Sequence, residues 1–213
     1  LRAYGSVVLA AIGVGLVVWI LSYPAYLLGE RLERLSGGRL RFLHSEGTVW
    51  NGRAQLGLSD GGRWYALPDA LEWHWAGPGS EQGSGLTLQH PRLGQALHLG
   101  WDSGGITVSA GDMRLPASWL SALGAPFNTI RPEGVLQLSW ASMQLSEPEL
   151  NVVLVWQDAQ SALASIRPLG EYKLEIKGKA SERIELQLST LTGALKMQGQ
   201  GSKVAGGRVN FTG

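Results

Sequence analysis

The chain has 213 residues and a formal net charge of +1, from 18 basic and 17 acidic side chains. This balance, without a long run of one sign, offers no electrostatic footprint for a nucleic acid. The chain has 0 cysteines, which excludes disulfides, thiolate metal sites and a cysteine nucleophile. Its 30 glycines and 9 tryptophans favour turns and strands over a helical bundle.

The first element is an apolar segment from Ala3 to Gly29 that carries no charged side chain. A helix needs roughly 20 apolar residues to cross a hydrocarbon core of about 30 Å. Trp19, Tyr23 and Tyr26 lie toward the far end of the segment, and such rings favour the membrane–water boundary. The sequence therefore predicts a single-pass anchor in the lipid bilayer over residues 1–29, and the alternative is a buried helix of a soluble core.

The charges beside the segment do not decide its orientation. Arg2 precedes it, whereas Arg31, Arg34, Arg39 and Arg41 follow it, so the flanking charges alone are ambiguous or even contrary to an exported C-terminal side. Long domains translocate largely regardless of charge, and we therefore expect a cytoplasmic N-terminus and an exported domain. The four arginines that follow either contact lipid headgroups or belong to a solvated helix face.

A short juxtamembrane helix and linker are predicted after the anchor, over residues 30–38. The helical pattern covers Ala25–Leu35, where leucines recur near one face, so the helix overlaps the end of the apolar segment. Gly37 and Gly38 end it. From Arg39 onward apolar and polar residues alternate, as in β-strands. Asn51 and Gly52 form a dipeptide typical of tight turns between strands.

A five-residue pattern, in which apolar residues alternate and the fifth is tryptophan, then recurs. Its copies are Leu71–Trp75, Leu97–Trp101, Leu136–Trp140 and Val152–Trp156. The period of two places the first, third and fifth residues on one face of an antiparallel sheet. Trp75, Trp101, Trp140 and Trp156 then either cover the open side of a one-faced sheet or line a groove for an apolar ligand.

One helical stretch, Pro116–Gly124, is followed by a loop, and together they occupy residues 116–130. They separate a first β half (residues 39–115) from a second (131–213). Its proline suits a first turn, and Trp119, Leu120 and Leu123 would form its apolar side. Later alternating strands are predicted around Tyr172–Ile176, Ile184–Leu188, Leu195–Met197 and Val209–Phe211, with Lys and Glu on the opposite face. The predicted fold class is all-β, with an N-terminal transmembrane helix, an antiparallel sheet domain and one or two short helices.

The sequence offers no constellation of catalytic or ligand-binding residues. Its histidines, His44, His74, His90 and His98, lack metal-ligand spacing. There is no nucleophile elbow, and the glycine-rich stretches lack the strand, helix and lysine of a phosphate site. We therefore predict no catalytic residue, no cofactor, no metal, no small-molecule substrate and no enzyme activity.

Several segments in a fixed order resemble one family. They are Gly47–Gly52 with Trp50, Leu115–Leu120 with Pro116 and Trp119, Gly124–Thr129 with Pro126, Pro132–Trp140 with Gly134, Ser161–Leu163, Pro168–Tyr172 with Gly170, Leu191–Leu195 with Gly193, and Gln198–Gly201. Behind a single anchor, this set resembles the N component of the bacterial type II (general) secretion pathway, GspN, over essentially the whole chain.

The resemblance implies a bacterial inner-membrane protein whose periplasmic β domain contacts the secretin or other subunits during export of folded proteins. It also implies a twisted sheet similar to that of AsmA-type proteins, whose apolar troughs hold lipid. Two hypotheses follow: a partner-binding subunit that adds a strand at a sheet edge, and a lipid groove lined by the tryptophans. The two are compatible.

Overall fold

The structure is a computed structural model that describes residues 22–59, 61–77, 83–207 and 210–213. Trp19 and most of the predicted anchor lie outside the described residues. Within the described ranges, no helix is both long and apolar enough to cross a bilayer.

The predicted juxtamembrane helix is present as α1 (Tyr26–Leu35). Ser36 ends it: its hydroxyl accepts a hydrogen bond from the backbone N–H of Leu40 at 2.9 Å. The helix packs against the first strand of the β domain. The chain therefore enters its β region directly from a docked helix.

Two antiparallel sheets contain the described strands, in agreement with the predicted all-β class. The first has eight strands in the order β1-β2-β4-β5-β6-β7-β10, with β3 also paired to β2. Its strands are β1 (Leu40–Gly47), β2 (Asn51–Ser59), β3 (Trp64–Ala66), β4 (Leu71–Ala76), β5 (Gly85–Gln89), β6 (Leu97–Asp102), β7 (Gly105–Val108) and β10 (Met143–Gln144).

The second sheet has seven strands in the order β15-β14-β13-β12-β11-β9-β8. Its strands are β8 (Gly111–Pro116), β9 (Pro132–Trp140), β11 (Glu149–Ser161), β12 (Gly170–Lys179), β13 (Arg183–Gly193), β14 (Gln198–Val204) and β15 (Asn210–Thr212). Each copy of the tryptophan pattern lies in a strand, namely β4, β6, β9 and β11, as predicted.

The two sheets are joined by hydrogen bonds as well as by the chain. Leu93, in the loop between β5 and β6, forms a bridge with Met113 of β8. Beside it, the N–H of Arg114 donates to the carbonyl of Arg92 at 2.8 Å. The chain also returns from β9 to the first sheet, where β10 pairs with β7, before it forms β11.

Three local predictions were wrong. The turn lies at residues 48–50, and Asn51 and Gly52 begin β2, because the hydroxyl of Thr48 accepts the N–H groups of Trp50 and Asn51 at 3.3 and 3.2 Å. Leu195–Met197 is no strand. There the hydroxyl of Thr190 bonds the N–H and carbonyl of Met197 at 2.6 and 2.9 Å, which holds the segment in a connection between β13 and β14.

The third wrong prediction is the apolar side of the helical stretch. A helix is present over Ala117–Leu123, between Pro116 and Gly124, but it is a 3-10 helix. With three residues per turn it does not present the apolar side of an α-helix. Its buried residues are Ala117, Ser121 and Ala122, whereas Leu123 is 45% exposed. A second short helix, α2 (Phe127–Ile130), follows within the predicted loop.

A cluster around Trp73 attaches α1 to the first sheet. Ala25, which immediately precedes the helix, is buried and packs with Ala54 and Trp73. Leu28 and Phe42 pack against these three residues. The ring of Phe42 stacks on Trp73 with centroids 5.4 Å apart. Because the indole N–H of Trp73 donates to the carbonyl of Thr48 at 3.1 Å, this buried ring leaves no unpaired donor.

Candidate functional site: the apolar sheet faces and the cleft between the sheets

Each sheet has one apolar face, as the alternation predicted. In the second sheet, Leu138 pairs with Leu154, Leu154 with Leu174, and Leu174 with Leu188, so leucines form a row across four strands. These four side chains are half-buried. A sheet face in which the central leucines keep contact with solvent has apolar surface available for a ligand or a partner.

Trp75 and Trp101 are brought together on the apolar face of the first sheet. Their ring centroids are 4.4 Å apart, and Trp50 meets Trp75 edge-on at 5.5 Å. Trp75 is 38% exposed, so this aromatic cluster opens to solvent. Trp50, predicted only as a motif residue, extends it because the Thr48 turn places its ring there.

Trp140 and Trp156 lie on the second sheet, apart from that cluster. The indole N–H of Trp140 donates to the carbonyl of Ser109 at 3.0 Å, at the crossing between the sheets. The indole N–H of Trp156 donates to the carbonyl of Glu133 at 2.9 Å, and its ring lies 6.0 Å from that of Tyr172. The four predicted groove residues therefore form two separate sets.

The residues predicted to carry the family resemblance occupy turns, bulges and helix ends. Gly47 pairs with Gly52 at the β1–β2 turn, and Gly170 pairs with Gly193 at the ends of β12 and β13. Pro116 precedes the 3-10 helix, Pro126 precedes α2, and the side chain of Pro132 is fully buried. The bonds preceding Pro126 and Pro168 are cis.

Trp119 connects the 3-10 helix to the first sheet. Its indole N–H donates to the carbonyl of Ala66 at 3.4 Å, and the helix also packs against β9 of the second sheet. The 3-10 helix is therefore placed where the two sheets approach each other.

A cleft of about 660 Å³ opens at this junction. Its walls come from the β2–β3 turn, the 3-10 helix, α2 and the start of β9, and its polar lining includes Arg63, Tyr65, Ser118, Asn128, Arg131 and Glu133. No local sequence pattern predicts this cleft, because its lining comes from two stretches, residues 62–65 and 118–133, that are far apart in the chain. The only local signal was the pair of short helices and prolines before β9.

The polar face of the second sheet carries a charged row on β12. The ammonium groups of Lys173 and Lys177 lie 3.2 and 3.4 Å from the carboxylate of Glu175. Hydrogen bonds from Lys173, and next from Lys177, lower the pKa of Glu175. A depression of about 430 Å³ runs from this row to β15.

In the described ranges, no group of three His, Cys, Asp or Glu residues could hold a metal ion. His74 is exposed, and His98 is half-buried with its Nδ1 3.3 Å from the hydroxyl of Thr87.

The comparison with protein families gives one match. The family model described as type II secretion system (T2SS), protein N, matches residues 39–213. No curated protein and no solved structure matches the chain. The matched segment covers all the described strands, and the matching family is a secretion component, with no catalytic family found beside it.

Proposed function

This chain belongs to the type II secretion system protein N family, and from that premise we propose that it is a non-enzymatic subunit that binds partner proteins through its β domain. The partners we propose are the secretin and other subunits of the machinery, engaged while folded proteins are exported. Such a role needs a surface that other chains can recognise and does not need a catalytic cluster.

We place the chain in the bacterial inner membrane, with the N-terminus in the cytoplasm and the β domain in the periplasm. The anchor we propose is the apolar segment that begins at Ala3 and ends before α1, because Ala25 and Gly29 pack against the first sheet. Tyr23 and Tyr26 follow this anchor and are 39% and 55% exposed, as expected for rings at a membrane boundary. A reporter enzyme active only in the periplasm, fused after Gly213, would test the orientation. Activity is expected, and activity only in the opposite fusion, before Leu1, would contradict it.

The observation that carries the docking role is the outer strand of the second sheet. All three residues of β15 are exposed, including Phe211 at 48%, and β15 pairs only with β14 among the described strands. A strand with an open side presents unpaired N–H and carbonyl groups, to which an extended segment of another protein can add. We propose β15 as the place of strand addition.

Photocrosslinking in cells that carry the secretion machinery would test this role. A photoreactive side chain is placed singly at Asn210 and Thr212, and as a control at exposed Ser181 in the β12–β13 turn. We expect the secretin or another subunit to be captured from β15 and not from Ser181. If no subunit is captured from either strand position in actively secreting cells, β15 is not the docking edge.

A groove for lipid or another apolar ligand is the second candidate function, and the exposed Trp75 beside Trp101 favours it. Crosslinking at Trp75, with exposed His74 on the opposite face as its matched control, would separate the two functions. Lipid adducts from Trp75 alone would support a groove. Equal lipid labelling at Trp75 and His74 would show only general proximity to the bilayer.

A further inference from the structure

One end of the first sheet is lined with apolar side chains that remain open to solvent. Trp101 of β6 pairs with Ile106 of β7, and the N–H of Leu145 donates to the carbonyl of Ile106 at 2.8 Å. Trp75 of β4 lies against Trp101, with Trp50 on its other side. Trp75, Ile106 and Leu145 are 38%, 43% and 48% exposed. We call these five residues the end row.

The end row is long and carries no charge. It reaches from the turn before β2 to the residue after β10, across the neighbouring strands β4, β5, β6 and β7. Adjacent strands lie about 4.8 Å apart, which gives the row a length of about 24 Å. Contiguous exposed apolar side chains of this extent mark a surface that contacts a membrane or another protein.

The backbone places the end row beside the residue that follows the proposed anchor. The N–H of Val49 donates to the carbonyl of Tyr23 at 2.8 Å. Trp50 is the next residue after Val49, and its carbonyl accepts the N–H of Trp75 at 2.8 Å. The first ring of the end row is therefore one residue away from a direct backbone bond to Tyr23.

We propose that the end row rests on the lipid bilayer, with its side chains in the interfacial region of the membrane that the anchor crosses. From Ala3 to Ser22 the chain has no charged residue, and roughly 20 apolar residues are enough to cross a bilayer. The surface of a bilayer crossed by that segment lies near Tyr23, beside the end row. Indole rings favour this region because they combine an apolar body with a polar N–H.

This proposal rests on the membrane placement proposed above and adds how the domain sits on the membrane. It differs from the groove, although both bring lipid to Trp75. A groove would use the apolar face around Trp75 and Trp101, whereas seating on the bilayer also needs the far end of the row. Ile106 and Leu145 form that end, on the last two strands of the sheet. A variant at Leu145 therefore separates the two.

Fluorescence quenching by lipid would test the seating. The chain has 0 cysteines, so one introduced cysteine carries one label. The label is placed at exposed Ser103, in the β6–β7 turn beside the end row, or at exposed Ser22, before Tyr23. The full chain is inserted into phosphatidylcholine nanodiscs that contain spin-labelled phosphatidylcholine, which quenches labels close to the bilayer. We expect both labels to be quenched, Ser22 by the anchor alone and Ser103 by the seating.

Leu145→Asp, made in the chain labelled at Ser103, is the decisive variant. It replaces an exposed leucine of the end row by a charge that favours water over the membrane interface. We expect the ratio of seated to unseated sheet ends to fall about 10-fold or more, with loss of most of the quenching at Ser103. Leu191→Asp makes the same change at a leucine of β13 that is 46% exposed and should leave the quenching unchanged.

Two results would overturn the proposal while the anchor stands. If Ser22 is quenched and Ser103 is not, the end row is free for a protein partner or a second copy of the chain. If Leu145→Asp leaves the quenching at Ser103 unchanged, that quenching comes from lipid in the groove or from the nearby anchor. Absence of quenching at Ser22 would instead overturn the membrane placement itself, and the seating with it.

Discussion

Gly134 and Asp158 meet where β9 and β11 lose their regular register. Val135 pairs with Gln157 and Glu133 with Gln160, so two residues of β11 lie opposite Gly134, as in a β-bulge. Gly134 has φ 104° and Asp158 has φ 47°. A Cβ on Gly134 would lie 2.5 Å from the carbonyl oxygens of both Gln157 and Asp158. Only glycine fits this position without moving the backbone.

We expect Gly134→Ala to lower the free energy of unfolding by roughly 2–4 kcal/mol, from backbone strain together with the clash. Gly37→Ala is the matched control, because Gly37 also has a positive φ of 65° but nothing within 4 Å of its added Cβ. The control should lose only the strain, about 1–2 kcal/mol. Urea unfolding of both variants measures the difference, and equal losses would show that the bulge yields to a side chain.

Tyr172 is a second residue with a specific structural role. It is 3% exposed, and its hydroxyl lies 3.3 and 3.1 Å from the carbonyls of Leu169 and Leu195. We expect Tyr172→Phe to cost about 1–2 kcal/mol of unfolding free energy, because buried acceptors lose a donor. Exposed Tyr26→Phe should cost nothing measurable, and a loss there as large as at Tyr172 would point to a general effect of the substitution.

Burial also raises the pKa of Tyr172 above its ordinary value, so folding favours the neutral phenol. Its contribution to stability is complete below its unfolded pKa of about 10 and is lost as the pH rises from there through the folded pKa. The stability of the unchanged chain should therefore fall more steeply above about pH 10 than that of Tyr172→Phe. Parallel curves from urea unfolding at rising pH would contradict this assignment.

At the level of elements, α1 is joined to the sheet by a close approach at Gly29. Gly29 is the buried residue of the helix, and a Cβ there would lie 3.2 Å from Cβ of Phe42. Phe42 in turn stacks on Trp73. The helix therefore keeps a defined position on the first sheet.

We expect Gly29→Leu to separate α1 from β1, because the added side chain has no space against Phe42. Hydrogen exchange at the backbone amides of β1 should become faster, and the emission of Trp73 should shift as its stacking partner moves. Glu30→Leu places the same side chain on the exposed side of the same helix and should leave both signals unchanged. Unchanged exchange in Gly29→Leu would mean that the helix is not held by this contact.

The strands were predictable because their side chains follow a simple period: leucines and tryptophans alternate with polar residues or glycine in β4, β6 and β9, and β11 is rich in β-branched valines. The turn was predicted at Asn51 and Gly52 but lies at Thr48, because the Thr48 hydroxyl accepts two backbone N–H groups there. Leu195–Met197 was predicted as a strand but is a connection, because the Thr190 hydroxyl bonds both the N–H and the carbonyl of Met197. Hydrogen bonds of this kind, from a side chain to the backbone, leave no periodic pattern in the sequence from which they could be predicted. The predicted set of groove tryptophans lacked Trp50, because the ring of Trp50 contacts that of Trp75 only as a result of the shape of the Thr48 turn.

At the scale of the molecule, the family was recognisable from short segments in order, and the match over residues 39–213 confirms it. The cleft was not predictable, since Arg63 and Arg131 meet only through the path of the chain between the sheets. The predicted boundaries at residues 115 and 131 remain predictions. Strand pairing gives a different grouping, because β8 joins the second sheet and β10 the first.

Because the sheets share hydrogen bonds and exchange strands, we expect the described β region to unfold as one cooperative unit. Tryptophan fluorescence and far-ultraviolet circular dichroism of the full chain should show one coincident transition in urea. Tryptophans lie in both sheets, among them Trp73 and Trp101 in the first and Trp140 and Trp156 in the second, so independent unfolding would be visible as two steps or as separated curves. Either would contradict the expectation.

The short strand β10 also has a consequence for the order in which the protein can fold. Met143 and Gln144 pair with Val108 and Thr107 of β7, yet they follow β8 and β9, which already belong to the other sheet. A chain that is synthesised from its N-terminus therefore cannot complete its first sheet until β8 and β9 of the second sheet have also been synthesised. Fragments that stop before Met143 would leave β7 without this neighbour and be prone to self-association, so the first half is not expected to fold as an intermediate on its own.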